Sequence, residues 1–342
     1  MTSIHVRGVN RVTAKGRVYF YHRATGKRLK ADPSDAAAFA AEVAALDAAK
    51  PVEKPSKPGT LGGLLTLYRA SSAFLELKPD TQKSYQRGFD ACRAIDAMPL
   101  VDISQPFILA LQERIYRNNG RWLANMAVKA LSIVLGWGML RGICLGNPAK
   151  GVPMIRRRTG TVANMAWLPS EVDAALKASS GGLRKAIALA YYGGLRKKDV
   201  VEIERAARAR RQIDVTQSKT GRELTLFEAR RLSAALDRPD EKPGRTIVVN
   251  SRGAPYTRDG LDSVFDKLKR ALVEAGAIRP ALTFHGLRKS LGKRAADAGM
   301  SENDIAAALG HSSPASARPY TLEAARKDGA RRVIRTLDKR RT

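Results

Sequence analysis

Three prolines, Pro51, Pro55 and Pro58, and three lysines, Lys50, Lys54 and Lys57, crowd the ten residues from Lys50 to Gly59. Proline has no backbone donor and a locked φ, so this stretch can be neither a helix interior nor a central strand. It reads as a semi-rigid linker. A chain of 342 residues, long enough for about two or three domains, must therefore be read in pieces. Ahead of the linker, residues 1–49 resemble a small β-rich module with one helix. Gly16 and Gly26 punctuate runs such as Arg17-Val18-Tyr19-Phe20-Tyr21, the pattern of short antiparallel strands. Asp32-Pro33-Ser34 then opens an alanine-rich helix reaching about Ala49.

Behind the linker, residues 60–148 carry helical periodicity. Asp80 is the expected N-cap of a helix bearing Tyr85, Phe89 and Ile95, and Ser104 of the next, with Pro106 in its first turn. A fourth, apolar helix runs through Trp122, Met126, Ala130, Ile133, Val134 and Trp137, and Asn147-Pro148 is the expected stop. Four such helices make an all-α domain. A basic connector, 149–163, includes Arg156-Arg157-Arg158, which either is simply solvated or tracks a polyanion's backbone. Residues 164–342 are of mixed, α+β character. Helical segments flank a hairpin in which Ile213 and Val215 alternate with polar residues, 219–222 turn, and Leu224 and Leu226 continue. The expected fold class is multidomain and mainly α with small β-sheets. No internal repeat is visible, and Gly193-Gly194 alone is not a nucleotide signature.

Charge narrows the partner. Lys plus Arg number 61 against 32 Asp plus Glu, a formal net charge of +29. A polyanion is the natural counterpart, since neutralised phosphates release condensed counterions; the bland alternative is a basic soluble protein. The longest apolar run, near Ala130 to Leu140, is far short of the roughly 20 residues of a membrane span, and Met1 to Val12 lacks a signal-peptide core. The expected location is the cytoplasm. Cys92 and Cys144 have no metal-like or redox-like neighbours and read as packing residues. At 44% hydrophobic residues, the chain can bury real cores.

Two of the four histidines, His285 and His311, lie among arginines. His285 and Arg288 are three apart, on one face of a helix whose buried side is marked by Leu287 and Leu291. Gly299 ends that helix, Ser301 to Asp304 resembles a capping box for the next, and Gly310 ends the second. His311 thus lies just past a helix end, and Ser313-Pro314 starts the segment that delivers Tyr320. Upstream, Tyr191 to Asp199 places Arg196 at a helix–turn–helix junction, with Leu195, Val200 and Ile203 as core contacts. Asp199 there can orient a guanidinium or cap its helix. Asp259, Asp262 and Asp266 could suggest a metal triad, but beside Arg258, Lys267 and Lys269 they read as a solvated face.

Taken in order, these residues resemble the tyrosine recombinase, or phage integrase, family. Gly194-Leu195-Arg196 with Asp199 matches its first box, His285 with Arg288 its second, and Leu309-Gly310-His311 its third. Tyr320 follows His311 by nine residues, as the family's nucleophile does. Lys219 fits the lysine carried on a hairpin between the boxes. The family's usual Glu is here Asp199, and the stretch from Arg205 to Arg211 is unusually basic, with no counterpart to the family's Trp-x-Asp, so the resemblance places the hairpin to within a few residues. The resemblance implies a SAM-like helical core-binding domain over 60–148, an α+β catalytic domain over 164–342, and an arm-type DNA-binding domain over 1–49.

It also implies a chemistry. A phosphoryl group passes to Tyr320 and back to a 5′-hydroxyl. Two guanidiniums, Arg196 and Arg288, suit the charge that builds on the non-bridging oxygens. A tyrosine of pKa near 10 needs help to attack at pH 7, a role the resemblance gives to His285 as base or proton relay. His311 would bond a phosphate oxygen, Lys219 would protonate the leaving oxygen, and Asp199 would be accessory. No cofactor, metal or ATP is called for. The expected partners are double-stranded DNA attachment sites, a homotetramer on synapsed DNA, and DNA-bending or directionality proteins, with the protein on the nucleoid when bound. Two rivals share parts of this reading: a type IB topoisomerase-like enzyme, and a non-catalytic DNA-binding regulator.

Overall fold

The computed structural model describes residues 8–14, 17–23, 26–48, 57–157, 164–239 and 242–339. Gly16, most of the linker, Arg158 and the last three residues lie outside these. The chain divides into two compact units, 1–159 and 160–342.

In the first unit, β1 (Val9–Ala14) and β2 (Arg17–His22) pair antiparallel, with Arg11 opposite Phe20. Helix α1 (Ala36–Ala48) covers them. Leu29, Phe39 and Val43 are buried there, and Phe20 meets Phe39 edge-on at 5.4 Å. The helix starts later than the sequence suggests. Asp32 closes a local turn onto Ser34, and it is Asp35 that accepts from the Ala38 N–H.

A separate apolar cluster belongs to α2 (Leu61–Arg69), α3 (Ser72–Leu75), α4 (Pro79–Asp90) and α5 (Gln105–Met139). Leu61, Leu64, Tyr68, Phe89, Ile108, Leu131 and Val134 fill it, together with both free cysteines. Three sequence expectations need correction here. The N-cap of α4 is Lys78, with Pro79 at the first helical position, so Asp80 sits in the first turn, where a carboxylate favours the helix dipole. The two helices expected after Ser104 are both present: α5 is a run of two helices that meet at Gly120, whose backbone (φ 81°, ψ 172°) is not helical. The run ends at Met139, ahead of Asn147-Pro148; Asn147 instead donates its side-chain amide to the Ser132 carbonyl. Trp122, assigned to the apolar face, is half exposed beside Arg87. Ser104 does cap α5, accepting from the Phe107 N–H. By length and composition α5 could cross a membrane, but its apolar side chains fill this helical core.

The second unit packs α6 (Pro169–Ala178), α7 (Gly181–Tyr192), α8 (Lys197–Glu202), α9 (Arg230–Leu236), α10 (Arg258–Glu274) and α11 (Phe284–Asp297) about one core. Its centre is α7, where every residue from Lys185 to Tyr191 is buried. A three-stranded antiparallel sheet in the order β3 (Arg208–Ala209), β4 (Gln212–Thr216), β5 (Glu223–Phe227) lies against it. Ile213 pairs with Leu226 and Val215 with Leu224, which sends one face of the hairpin inward. The basic stretch before it has a structural explanation. Arg210 and Arg211 form the tight β3–β4 turn with positive φ (49° and 60°), and Arg208 binds Glu228 and Asp237.

Two further helices follow. The Ser301 side chain caps α12 (Glu302–Leu309), and Asp304 closes the box on the Ser301 N–H. Gly310, at φ 58°, ends α12 in the left-handed conformation, with the His311 N–H donating back to Ala306. A 3-10 turn at Pro314–Ser316 leads into α13 (Arg318–Lys339). Leu309, Ala317, Ala324 and Ala296 form a small core beneath these elements.

Candidate active site

Each sequence-nominated side chain is set by a local device. Gly194 (φ 64°) turns the chain between α7 and α8, and a Cβ there would strike Leu291 and Leu309. That close approach leads into Arg196 at the N-cap of α8. Helical spacing puts His285 and Arg288 on α11, the left-handed Gly310 turns the chain so that His311 enters from α12, and α13 brings Tyr320 against Gly292, where even a Cβ would collide with the phenol ring.

Arg288 is 3% exposed. It donates to the Gly194 carbonyl and, at 2.6 Å, to the Leu309 carbonyl, so it links the first and third boxes. Arg196 donates to the Gln217 side-chain oxygen at 2.6 Å. Asp199 is buried. Its Oδ1 accepts from the Ser218 N–H at 2.9 Å and the Ser218 hydroxyl at 2.8 Å, while Oδ2 lies 3.9 Å from Arg196. Asp199 is therefore chiefly an anchor for the hairpin turn that carries Lys219, beyond the guanidinium-orienting or capping role read from its spacing. Arg222, on the far side of that turn, donates to the His311 carbonyl at 2.6 Å.

The electrostatics reveal a crowd of cations. Burial and then the neighbouring Arg196 pull Arg288 down to about 10. Burial, Arg288 and Arg196 lower His311 to about 4, and its Nδ1 is buried with no hydrogen-bond partner. His285 is lowered by burial, then by Arg288, Lys289, Arg196 and Lys219. Burial raises Tyr320, and Arg288 partly offsets that. Arg288 is thus the electrostatic hub, felt by His285, His311 and Tyr320 and itself feeling Arg196 and the Asp199 carboxylate, while Arg196 also acts on both histidines and Lys219 on His285. The arrangement can hold a compact dianion or monoanion beside a tyrosine hydroxyl.

The aspartates of α10 lie apart from this. Asp262 pairs with Lys197 and Asp266 with Lys269, and among the described residues no group of three or more His, Cys, Asp or Glu could hold a metal ion. Gln217, Ser218 and Arg222 were not singled out from the sequence. A signal for Gln217 existed: with Ile213 and Val215 inward, the two-residue period sends position 217 inward as well, and a polar residue there calls for a partner.

Residues 168–327 match the model of the phage integrase family. This region is a phage integrase family domain. The fold is that of lambda integrase. A lambda integrase dimer bound to a COC′ core site superposes with a TM-score of 0.65 at 21% identity, over 94% of this chain and 96% of that one. A lambda integrase tetramer bound to a Holliday junction gives 0.63 at 21% identity, over 91% and 97%. The Tn1549 transposon integrase in complex with a circular intermediate DNA gives 0.66 at 16% identity, over 80% and 99%. No curated protein matches the chain. The phage integrase domain spans α6 to the first half of α13 and so includes all the side chains named above.

Proposed function

We propose that this protein is a site-specific DNA recombinase that cleaves and rejoins strands through a 3′-phosphotyrosine at Tyr320, integrating or excising a mobile element. One observation carries the reading: two arginines, a lysine and two histidines form one electrostatic cluster around a partly buried tyrosine. So much like charge in a half-buried site is costly alone and is relieved by a phosphate.

The roles follow from the chemistry. The Tyr320 oxygen attacks the scissile phosphorus as the bond to the 5′-oxygen breaks. Arg196 and Arg288 hold the non-bridging oxygens, and their remaining N–H donors match developing charge without giving up protons. Burial makes the Tyr320 hydroxyl a weaker acid, so a base is needed. His285, kept neutral at pH 7 by burial and then by the cations around it, can receive the proton or relay it. His311, likewise neutral, hydrogen-bonds a phosphate oxygen, and Lys219 protonates the departing 5′-oxygen. The phosphotyrosine conserves the ester's bond energy, so ATP is not needed, and the guanidiniums supply the charge a metal would bring.

Residues 1–49 serve in this reading as an arm-type DNA-binding domain, 50–59 as a linker, 60–148 as the core-binding domain, and 149–163 as a connector to the catalytic domain, 164–342. The working assembly is a homotetramer on two synapsed attachment sites. The end of α13 supports a docking role in it: Val333, Ile334 and Leu337 are each more than half exposed on one helix.

The experiment is adduct formation on a nicked duplex drawn from the DNA flanking this gene, the segment chosen by footprinting. The wild type should form a covalent protein–DNA adduct, and Tyr320→Phe should bind equally but form none. Adduct formation by the Phe variant at the wild-type rate would refute the assignment. Absence of any adduct in the wild type would favour a DNA-binding regulator. An enzyme that relaxes supercoils yet never joins two sites would be topoisomerase-like.

A further inference from the structure

We infer that Gln217 is a positioning residue for the reaction, its buried amide setting Arg196 relative to Arg288. The inference rests on the recombinase reading above and deepens it.

Gln217 is fully buried, at 0% exposure, where β4 runs into the turn. Both ends of its amide are used. Its Oε1 accepts from Arg196 at 2.6 Å and from the Thr220 hydroxyl at 3.1 Å, and its Nε2 donates to the Leu309 carbonyl at 3.1 Å. That same carbonyl accepts from Arg288. A continuous path therefore runs from Arg196 through the Gln217 amide and the Leu309 carbonyl to Arg288, and from Arg288 to the carbonyl of Gly194, two residues before Arg196. The loop closes on itself, so neither guanidinium can shift without breaking a buried hydrogen bond.

The backbone fixes the amide in turn. The Gln217 N–H donates to Arg222, and its carbonyl accepts from Thr220 and Gly221, which holds the residue at the root of the turn bearing Lys219. Gly310 makes room for it: a Cβ there would come within 2.1 Å of Nε2. A glycine at the end of α12 thus serves both the left-handed cap and the close approach of this amide. An apolar residue at 217 would continue the inward pattern of Ile213 and Val215 and satisfy the core. It would leave Arg196, one-fifth exposed along its side chain, without the acceptor that points it at the phosphate.

The test is Gln217→Met, which keeps roughly the volume and loses both hydrogen bonds. Three readouts on the full chain are needed: melting temperature, affinity for the flanking-DNA duplex, and the single-turnover rate of adduct formation. The rate is measured on the ordinary phosphate and on a methylphosphonate at the scissile position, where a methyl replaces one charged oxygen. A misplaced catalytic group costs roughly 10²-fold, so the variant should bind as the wild type does and form adduct about 10²-fold more slowly. On the uncharged methylphosphonate, orientation of a guanidinium matters less. The deficit should shrink there, in parallel with that of Arg196→Ala. An equal deficit on both substrates would mean a general packing defect and would overturn the role, as would an adduct rate within about threefold of wild type. Should the Met variant not fold, Gln217→Asn, one methylene too short to reach both partners, is read by the same criteria. A wild type that forms no adduct sinks the recombinase reading itself. A wild type that does, beside a Met variant that does as well, sinks only the role of Gln217.

Discussion

Replacing Asp199 by alanine tests whether the hairpin that carries Lys219 is held by a single buried carboxylate. The substitution removes the acceptor of the Ser218 N–H and of its hydroxyl, at 2.9 and 2.8 Å. Hydrogen bonds to a charged group contribute about 1.5–3 kcal/mol each, a gross loss of roughly 3–6 kcal/mol. Against this stands the cost of keeping the carboxylate out of water. Its Oδ2 has no hydrogen bond and only a long contact, 3.9 Å, with Arg196, so removing it relieves desolvation of the order of a few kcal/mol. The net expectation is a destabilisation of about 2 kcal/mol. For a unit of this size that is a fall in melting temperature of roughly 4–8 °C. Adduct formation should drop further than stability does, because Lys219 loses its fixed approach; Asp199→Asn, which keeps an oxygen for Ser218, should recover most of the melting temperature. Thermal melts and single-turnover cleavage measure the two effects. If the alanine variant melts within 1 °C of wild type and cleaves at the same rate, the turn is held elsewhere, through Gln217 and the Arg222 bond to His311, and the reasoning fails.

Lys219→Ala should lose about 10²–10⁴-fold in cleavage if the lysine is the general acid. A substrate with sulfur as the bridging 5′-atom, whose thiol pKa is near 8.5 by analogy with cysteine, should restore most of that loss; equal defects on both substrates would move the acid role to another residue. His285 and His311 titrate below the ordinary histidine value in the folded protein, His311 near 4. The unfolded chain therefore binds protons that the native state refuses. Stability should hold above about pH 6.5 and decline as pH falls toward 4, with His311→Gln flattening part of that slope. A melting temperature independent of pH between 7.5 and 5 would contradict the burial of these rings among cations.

Much of this molecule is legible in short stretches of sequence because the physics involved is local. Ser104 and the Ser301–Asp304 pair announce helix starts through side chains that reach backbone groups three residues away, and both cap as read. Alternation over Ile213 and Val215 announces a strand, and the glycine after Leu309 announces a helix end. The errors fall where local signals compete. Asp80 was a plausible cap, but Pro79 beside it prefers the first helical position, which moves the boundary back. Asn147-Pro148 looked like a helix stop, yet the chain had already left the helix at Met139 and Asn147 had found a distant carbonyl.

The amino-acid sequence by itself determined which chemical groups the protein can bring to bear: the arginines, histidines, lysine and tyrosine, their order, and the helix or turn that bears each. Only the tertiary structure decided how they are held. Arg288 meets the carbonyl of Gly194 across 94 positions, and Gln217 meets that of Leu309 across 92. Asp199 looked like a partner for the arginine three residues away and serves chiefly as the anchor of a hairpin 19 residues on. Contacts of this kind leave no periodic trace. They form because buried polar groups must find partners, and which partners are within reach is set by the packing of the whole domain.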